Sequence, residues 1–189
     1  MMEAFHFLLF SARPASPRAE QGAGSEDVMT DAELIARILA GNERLFGELV
    51  ERHAGCVWAI CAGHVFNRHE CEDVAQEVFV QGYLKLNTLR NAAAFGSWLC
   101  EIARRRCLEW NRAAARRRAA TERYAEHVQH GQKSDDTADR AARDDLHRAI
   151  RGLMQSLPSK TREALLLCYG EGYSVRDAAK ILEVSPNTL

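Results

Sequence analysis

The residue types best suited to metal chemistry lie between positions 53 and 71. His53 is followed three residues later by Cys56, Cys61 is followed three residues later by His64, and Cys71 comes next. Imidazole and thiolate are ligands that Zn²⁺ prefers, so a small metal-dependent hydrolase is one hypothesis. However, apolar periodicity places both pairs on one helix, where His53 and His64 are roughly 16 Å apart at about 1.5 Å per residue. One tetrahedral ion cannot gather all four, so the sequence predicts neither a metal site nor a cofactor.

A second candidate is a polar stripe formed by Asp73, Gln76, Glu77 and Val80. Their spacings of three, one and three residues place them on one face of a helix, opposite an apolar face that includes Val74, Val78 and Phe79. Such a stripe serves either as a docking surface for another protein or simply as a solvent-exposed face. On composition alone, the solvent-exposed face is the simpler interpretation.

The third candidate combines aromatic side chains with clustered arginines. From Glu101 to Arg123 the sequence has eight Arg and three Glu, a local charge of +5 in a chain whose net charge is −1. Phe95 and Trp98 precede this segment, and Trp110 lies within it. The combination suits melted DNA, because bases stack on aromatic rings while arginines neutralise phosphates. Core packing of Trp98 and a solubilising role for the arginines at 116–118 are the alternatives.

The end of the chain has the pattern of a helix-turn-helix. Ser174 to Asp177 forms a capping box before a predicted helix at 175–182, which carries small alanines where two helices must cross closely. Ser185 followed by Pro186 begins a further helix, whose first residues would enter the major groove. A plain helical hairpin is the alternative, and Glu183 occupies a turn position where Gly is common.

Helical periodicity extends through the elements that must position these groups. A capping box at Thr30 opens a helix with Leu34, Ile35, Ile38 and Leu39 as its buried stripe. A long helix from about 46 to 64, a third from about Glu70 to Leu86, a loop at 87–94 and a fourth helix from Phe95 follow. Beyond a polar stretch at 121–140, Leu146, Ile150, Leu153 and Leu157 form another stripe that Pro158 closes, and a short helix follows at Thr161–Tyr169. The prediction is an all-α fold of two small helical domains, the second a helix-turn-helix, joined by a flexible linker.

Composition excludes several classes of protein. With 47% hydrophobic and 27% charged residues, the chain is an ordinary soluble sequence, and it has no run of about 18 apolar residues that would span a membrane. Six cysteines without a Cys-x-x-Cys pair indicate no disulfide framework and suit a reducing cytoplasm. A Gly-rich phosphate loop, a nucleophile elbow and a His-Glu-x-x-His motif are all missing, so no enzymatic activity is predicted.

Three motifs in order resemble the sigma factors of the sigma-70 superfamily. The stretch 73–79 (DVAQEVF) is similar to their polymerase-docking helix, 95–104 (FGSWLCEIAR) to their following helix, and 157–167 (LPSKTREALLL) with 173–185 to their fourth region. The two-domain layout is similar to the extracytoplasmic-function group. A stretch rich in Ala, Pro, Gly and Ser before residue 30 predicts a disordered leader at 1–29, in which Met29 is a second candidate start. The mixed charge and few large apolar residues at 121–140 predict a linker, with a solvent-exposed helix as the alternative. The resemblance then assigns region 2 to 30–120 and region 4 to 141–189.

The resemblance implies that the chain is a factor that directs promoter recognition, DNA melting and transcription initiation. It also assigns roles to particular residues. The docking stripe Asp73, Gln76, Glu77 and Val80 would bind the coiled-coil of the largest RNA polymerase subunit. The minus-ten element would be met by Leu89, Arg90, Asn91, Phe95, Trp98, Arg104, Arg105 and Arg112. The minus-thirty-five element would be met by Arg176, Ser185, Pro186, Asn187 and Thr188.

Two expectations follow, and one alternative stays open. The recognition helix has only about four residues here, and since helices this short are unstable alone, we expect the chain to bind the minus-thirty-five element poorly. Many members of the family are held inactive by an anti-sigma protein, which is a further candidate partner. The alternative function is a stand-alone helix-turn-helix regulator that binds duplex DNA without polymerase.

Overall fold

The computed structural model describes residues 29–125, 149–150 and 152–188, and this part of the chain contains helices and turns but no strand. We number six α-helices: α1 (Asp31–Leu39), α2 (Phe46–His64), α3 (Arg68–Leu84), α4 (Phe95–Ala125), α5 (Ser159–Leu165) and α6 (Val175–Leu182). The predicted all-α fold is confirmed. The leader up to residue 28 and residues 126–140 of the predicted linker lie outside the described residues, whereas residues 121–125, predicted to begin the linker, form the end of α4 because the helix continues through them.

The N-terminal unit, residues 29–125, is built around α2, α3 and α4. These helices bring together Phe79, Phe95, Leu49, Ile60 and Leu99, all of them fully buried. The capping box at Thr30 is confirmed: the Thr30 side chain accepts from the Glu33 backbone N–H, and the Glu33 carboxylate accepts from the Thr30 N–H. Contrary to the predicted stripe, Leu39 is 55% exposed; it is the last residue of α1.

The helix boundaries near the candidate site differ slightly from the prediction. Helix α3 begins at Arg68 rather than near Glu70, because the Asn67 side chain accepts hydrogen bonds from two backbone N–H groups and caps it there. The predicted loop at 87–94 is partly ordered into two 3₁₀ turns, Leu86–Thr88 and Ala92–Ala94. Asn91 caps the second turn through its side-chain oxygen, 3.1 Å from the Ala93 nitrogen. The loop that joins α3 to α4 therefore has a defined backbone.

Five of the six cysteines are buried in the core of the N-terminal unit, and all six are free thiols. Cys56 hydrogen bonds to Cys100, and Cys61 to Cys107; these contacts, together with burial, raise the pKa of Cys56 and of Cys61 well above the ordinary value. Burial raises the pKa of Cys71 to about 12. Cys56, Cys61 and Cys71 therefore stay protonated at neutral pH, and the buried cysteines pack as small apolar side chains.

The C-terminal unit, residues 149–150 and 152–188, contains α5, α6 and a π-helical turn at Leu166–Gly170. The turn interrupts the helix predicted at 161–169. Leu167, Ala178 and Leu182 are buried in the same cluster as the N-terminal core, so the two units pack against each other. The predicted helix before Pro158 is observed at 149–150 and 152–156, but Ile150 and Leu153 of its apolar stripe are about half or more exposed.

Candidate functional site

The polar stripe of α3 lies on the surface of the N-terminal unit, as its spacing predicts. Asp73 and Val80 are exposed, whereas Gln76 and Glu77 are half-buried. The opposite face of α3 places Val74 and Val78 in the core with no exposed area, which fixes the orientation of the helix. The stripe therefore stands on a rigid element.

One member of the stripe already has a partner within the chain. The Glu77 carboxylate accepts a hydrogen bond from Arg106 of α4, which also donates to Glu109 at 2.7 Å. The sequence interpretation did not include Arg106. A basic partner that approaches Glu77 must therefore share or displace this guanidinium.

A cleft of about 440 Å³ opens between the α3–α4 loop and α4. It brings together five of the eight residues predicted for the minus-ten element: Leu89, Arg90, Asn91, Trp98 and Arg104. Thr88, Ser97 and Glu101, which the sequence interpretation omitted, also line it. The cleft thus joins an aromatic ring, an amide and two guanidinium groups, which are the groups that stack on and hydrogen bond to an unpaired base.

The predicted residue Phe95 does not line this cleft. Its ring is fully buried, 5.0 Å from the His53 ring and 5.8 Å from the Trp98 ring, measured between centroids. Since an apolar ring at the start of α4 completes the core, Phe95 positions Trp98 and is not itself available for base stacking in this structure.

The three arginines of α4 predicted to contact the minus-ten element, which are candidates for phosphate contacts, are in different surroundings. Arg105 projects from the exposed side of α4 and donates to Glu109 at 3.2 Å. Arg112 is exposed, about two turns further along the helix. Arg104, by contrast, is held by an acidic residue of the C-terminal unit: its Nε and Nη2 atoms donate to Glu163 Oε2 at 3.0 and 2.9 Å. In this arrangement the Arg104 guanidinium is not open to a phosphate.

The two histidines considered as metal ligands lie 11 residues apart on α2, and each faces a different carboxylate. His53 Nε2 lies 2.8 Å from Asp31 Oδ2, and His64 Nε2 lies 2.8 Å from Glu163 Oε1. The hydrogen bond from His53 lowers the pKa of Asp31. Helix α2 is continuous through both histidines. Within the described part of the chain, no three His, Cys, Asp or Glu side chains are arranged so that they could hold one metal ion.

Near the C-terminal end, α6, a turn at 183–185 and the 3₁₀ turn Pro186–Thr188 follow one another in the order of a helix-turn-helix. Ser174 caps α6 by accepting from the Asp177 N–H at 3.1 Å, while the Asp177 carboxylate accepts from the Ser174 hydroxyl and not from its backbone. Only half of the predicted capping box therefore forms. Glu183 ends α6 with φ of 53°, the left-handed conformation that usually favours Gly.

The residues predicted to contact the minus-thirty-five element all lie on the surface. Ser185 and the 3₁₀ turn Pro186–Thr188, which includes Asn187, are exposed, as is Arg176 of α6. These side chains are free of the core, and residues 185–188 lie where the second helix is predicted, which within the described residues takes the form of a 3₁₀ turn.

Two helical units, the second with a helix-turn-helix, define a class of DNA-binding transcription proteins, and comparison with known proteins specifies the family. Residues 49–117 match the family model for sigma-70 region 2, and residues 147–189 match that for sigma-70 region 4. The RNA polymerase sigma-H factor of Pseudomonas aeruginosa is 30% identical over 165 residues, covering 84% of this chain and 86% of that protein. The extracytoplasmic-function sigma-E factor of Haemophilus influenzae is 27% identical, covering 85% and 88%.

A solved structure supports the fold. The chain of CnrH, determined in complex with the cytosolic domain of CnrY, has a TM-score of 0.54 at 24% identity and covers 84% of this chain and 86% of CnrH. The chain belongs to the sigma-70 superfamily of RNA polymerase sigma factors, in the extracytoplasmic-function group. It therefore functions in polymerase binding and transcription initiation. The match of residues 49–117 to sigma-70 region 2 disfavours the alternative of a stand-alone helix-turn-helix regulator, because that class of protein does not require a region 2.

Proposed function

We propose that the stripe of Asp73, Gln76, Glu77 and Val80 binds the coiled-coil of the largest polymerase subunit. The observation that carries this assignment is a surface stripe on α3 with two carboxylates, Asp73 exposed and Glu77 half-buried, backed by a fully buried face of the same helix. Acidic side chains on a rigid helix favour fast and specific docking to a basic partner, because complementary charge steers the encounter. Val80, which is 48% exposed, supplies an apolar contact beside the charges.

Core binding by the variant Asp73→Ala/Gln76→Ala/Glu77→Ala tests the proposal. We expect at least a tenfold loss of affinity for purified polymerase core, measured by fluorescence anisotropy, with circular dichroism unchanged. Arg68→Ala/His69→Ala is the matched control, because both side chains are highly exposed on the same helix outside the stripe. Equal affinity of the triple variant and the parent chain would refute the assignment.

A second control separates docking from internal stability. Removing Glu77 also frees Arg106, so a loss of binding could arise inside the chain rather than at the interface. Arg106→Ala breaks the same ion pair and leaves the Glu77 carboxylate in place. We expect Arg106→Ala to keep or improve core binding; a loss equal to that of Glu77→Ala would assign the effect to the internal pair.

We further propose that the cleft lined by Leu89, Arg90, Asn91, Trp98 and Arg104 captures an unpaired base of the minus-ten element. Extruding a base costs a few kcal/mol, which a pocket must return through stacking and hydrogen bonds. Phe95 acts here by positioning Trp98, while Arg105 and Arg112 extend the basic surface of α4 along the strand. Trp98→Ala should reduce promoter opening in permanganate footprinting and leave core binding unchanged; unaltered opening would remove Trp98 from the site.

The remaining assignments follow from family membership. Arg176, Ser185, Pro186, Asn187 and Thr188 are proposed to contact the minus-thirty-five element, with region 2 at 30–120, a linker at 121–140 and region 4 at 141–189. We propose that the chain acts in the cytoplasm, has no catalytic activity of its own, and has an anti-sigma protein as a further partner. None of the described helices is long and apolar enough to cross a membrane.

A further inference from the structure

The His53 side chain of α2 connects the first residue of α1 with the first residue of α4. Its ring lies edge-on to the Phe95 ring, with centroids 5.0 Å apart and an angle of 72° between the planes. On its other side, His53 Nε2 lies 2.8 Å from Asp31 Oδ2. Edge-to-face rings at this separation attract each other. The imidazole is therefore held between a carboxylate of one helix and an aromatic ring of another.

Gly96 allows this ring to lie close to the backbone of α4. A Cβ atom added at Gly96 would lie 3.2 Å from both Nδ1 and Cε1 of His53. Favourable contact between carbon atoms begins at about 3.5 Å, so a side chain at Gly96 would push the imidazole away. His53 thus lies against two successive residues at the start of α4, and this fixes where the first turn of that helix stands.

The Asp31 carboxylate keeps the imidazole in one orientation. The hydrogen bond from His53 lowers the pKa of Asp31, so the carboxylate is ionised at neutral pH and only accepts hydrogen bonds. His53 Nε2 is therefore the donor, and a hydrogen bond to an ionised acceptor is stronger than one between neutral groups. The other oxygen, Oδ1, accepts from Arg52 at 3.1 Å.

The position of the first turn of α4 determines the position of Trp98 in the cleft. Phe95 and Trp98 are three residues apart, which makes them neighbours on the helix surface, and their ring centroids are 5.8 Å apart. Trp98 is half-buried and lines the cleft, whereas Phe95 is fully buried behind it. A binding site keeps its geometry to about 0.5 Å only when the residues behind it lock its side chains. Here His53 and Phe95 are those residues.

We propose that His53 is a positioning residue for base capture: anchored on Asp31 and fitted against Phe95 and Gly96, it sets the place of the Trp98 ring in the cleft. Its role in capture rests on the minus-ten function proposed for the cleft. The position of Trp98 is measurable in the chain alone, without DNA or polymerase. A histidine that only filled the core would leave Trp98 unchanged when a side chain of similar volume replaced it.

Quenching of Trp98 fluorescence by iodide tests the positioning, in a chain whose other two tryptophans, Trp58 and Trp110, are changed to Phe. We expect His53→Leu to change the quenching constant at least about twofold, because the ring behind the first turn of α4 is lost. Arg52→Leu is the matched control. It removes the hydrogen bond at the other oxygen of Asp31 and leaves both ring contacts in place, so its quenching should equal that of the parent.

A second variant keeps the test decisive if His53→Leu does not fold. Gly96→Ala removes no group and adds one methyl against the imidazole, and Ala favours a helix more than Gly does. We expect the same change of about twofold or more in Trp98 quenching. Gly47→Ala on α2, where no heavy atom lies within 4 Å of the added Cβ, should match the parent. Quenching equal to that of the parent in both folded variants would overturn the positioning.

Replacement of Asp31 tests the anchor. Asp31→Asn keeps an amide oxygen that accepts from His53 Nε2, whereas Asp31→Leu keeps no acceptor. We expect Asp31→Leu to reproduce the quenching of His53→Leu and Asp31→Asn to stay close to the parent. A folded Asp31→Leu chain with the quenching of the parent would overturn the part that Asp31 plays.

Permanganate footprinting with core polymerase connects the position of Trp98 to promoter opening. His53→Leu and Gly96→Ala should lower opening at least about fivefold while core binding stays unchanged, because a misplaced ring stacks poorly on an unpaired base. A variant that moves Trp98 and still opens the promoter fully would overturn the role of His53 in capture. Full opening by Trp98→Ala would instead refute the proposed function of the cleft, and the quenching result would still decide the positioning.

Discussion

The two units of this chain differ in how they obtain a core. The N-terminal unit encloses its large side chains, among them Phe79, Phe95 and Leu99, between helices of 17 to 31 residues. In the C-terminal unit, α5 and α6 have only seven and eight residues, and Leu167 and Leu182 are buried in the cluster of the other unit. Helices shorter than about 12–15 residues are marginal alone. One unit can fold by itself in principle, whereas the other gains much of its stability from docking.

The largest effect is expected from opening a cavity in the self-contained core. Phe79 is fully buried between helices, so Phe79→Ala should lower the free energy of unfolding by about 3–5 kcal/mol, measured by urea denaturation. Leu84→Ala at the end of the same helix is the control, since its side chain is 64% exposed and the change should stay within about 0.5 kcal/mol. A small effect at Phe79 would contradict the view that this unit holds the main core.

A cavity in the C-terminal unit should have a smaller and more local effect. Leu167 is fully buried against the N-terminal unit, and Leu167→Ala should cost about 2–4 kcal/mol. Native-state hydrogen exchange should show α5 and α6 losing protection while α2 and α3 keep it. Equal loss in all four helices would mean that the chain unfolds as one cooperative body and would remove the contrast between the units.

Acid should separate the units before it unfolds the larger one. The pKa of Glu163 in the docked state lies below the ordinary 4.5, so the docked state binds fewer protons than the state in which the two units are separated. The stabilisation by this group is therefore complete above about pH 5 and is lost as pH falls through the lowered pKa. His64, Arg104 and the nearby Glu101 face the same site.

Scattering between pH 6 and pH 3.5 measures this separation. The parent chain should expand on acidification below about pH 4.5, in the direction that linkage requires. Glu163→Gln removes the titrating carboxylate, so its degree of docking should be weaker at pH 6 and nearly independent of pH. A Glu163→Gln chain that keeps the parent's full pH response would assign the transition to other groups.

The smallest expected effect is a gain in stability at the turn of the helix-turn-helix. Glu183 adopts the left-handed conformation at φ of 53°, which costs a residue with a Cβ atom roughly 1–2 kcal/mol. Because Gly loses more backbone entropy on folding, Glu183→Gly should raise the free energy of unfolding by only about 0.5–1 kcal/mol. Thermal denaturation at neutral pH measures it; a lower melting temperature would show that the Glu183 side chain contributes more than the strain costs.

The sequence predicts the local structure of this protein well, because that structure depends on near neighbours. The capping box at Thr30, the buried face of α3 and the helix at 175–182 all follow from spacing and side-chain chemistry over a few residues. The π-helical turn at Leu166–Gly170 could not be predicted in this way, because no local signal marks an extra residue in a helical turn.

The site could be predicted only in part. The aromatic and arginine residue types, together with the family resemblance, assigned Trp98 and Arg104 to the minus-ten element, but they also assigned Phe95, since an aromatic ring at a helix start fits both the core and a binding surface. The contact between Glu163 and Arg104 spans 59 residues, and nothing in either local pattern identifies the partner. The comparison with sigma factors supplied the family, while the pairing of the two units required the fold.

The burial of the thiols in the N-terminal unit also determines how readily this chain reacts with electrophiles. A thiol reacts as its thiolate, and burial together with thiol–thiol hydrogen bonds keeps Cys56 and Cys61 protonated, with Cys71 held in the same form. Alkylating reagents at neutral pH should therefore not modify these buried thiols until the helices separate. The rate at which these three cysteines are alkylated therefore reports the rate of global unfolding of the N-terminal unit, and no added label is needed to measure it.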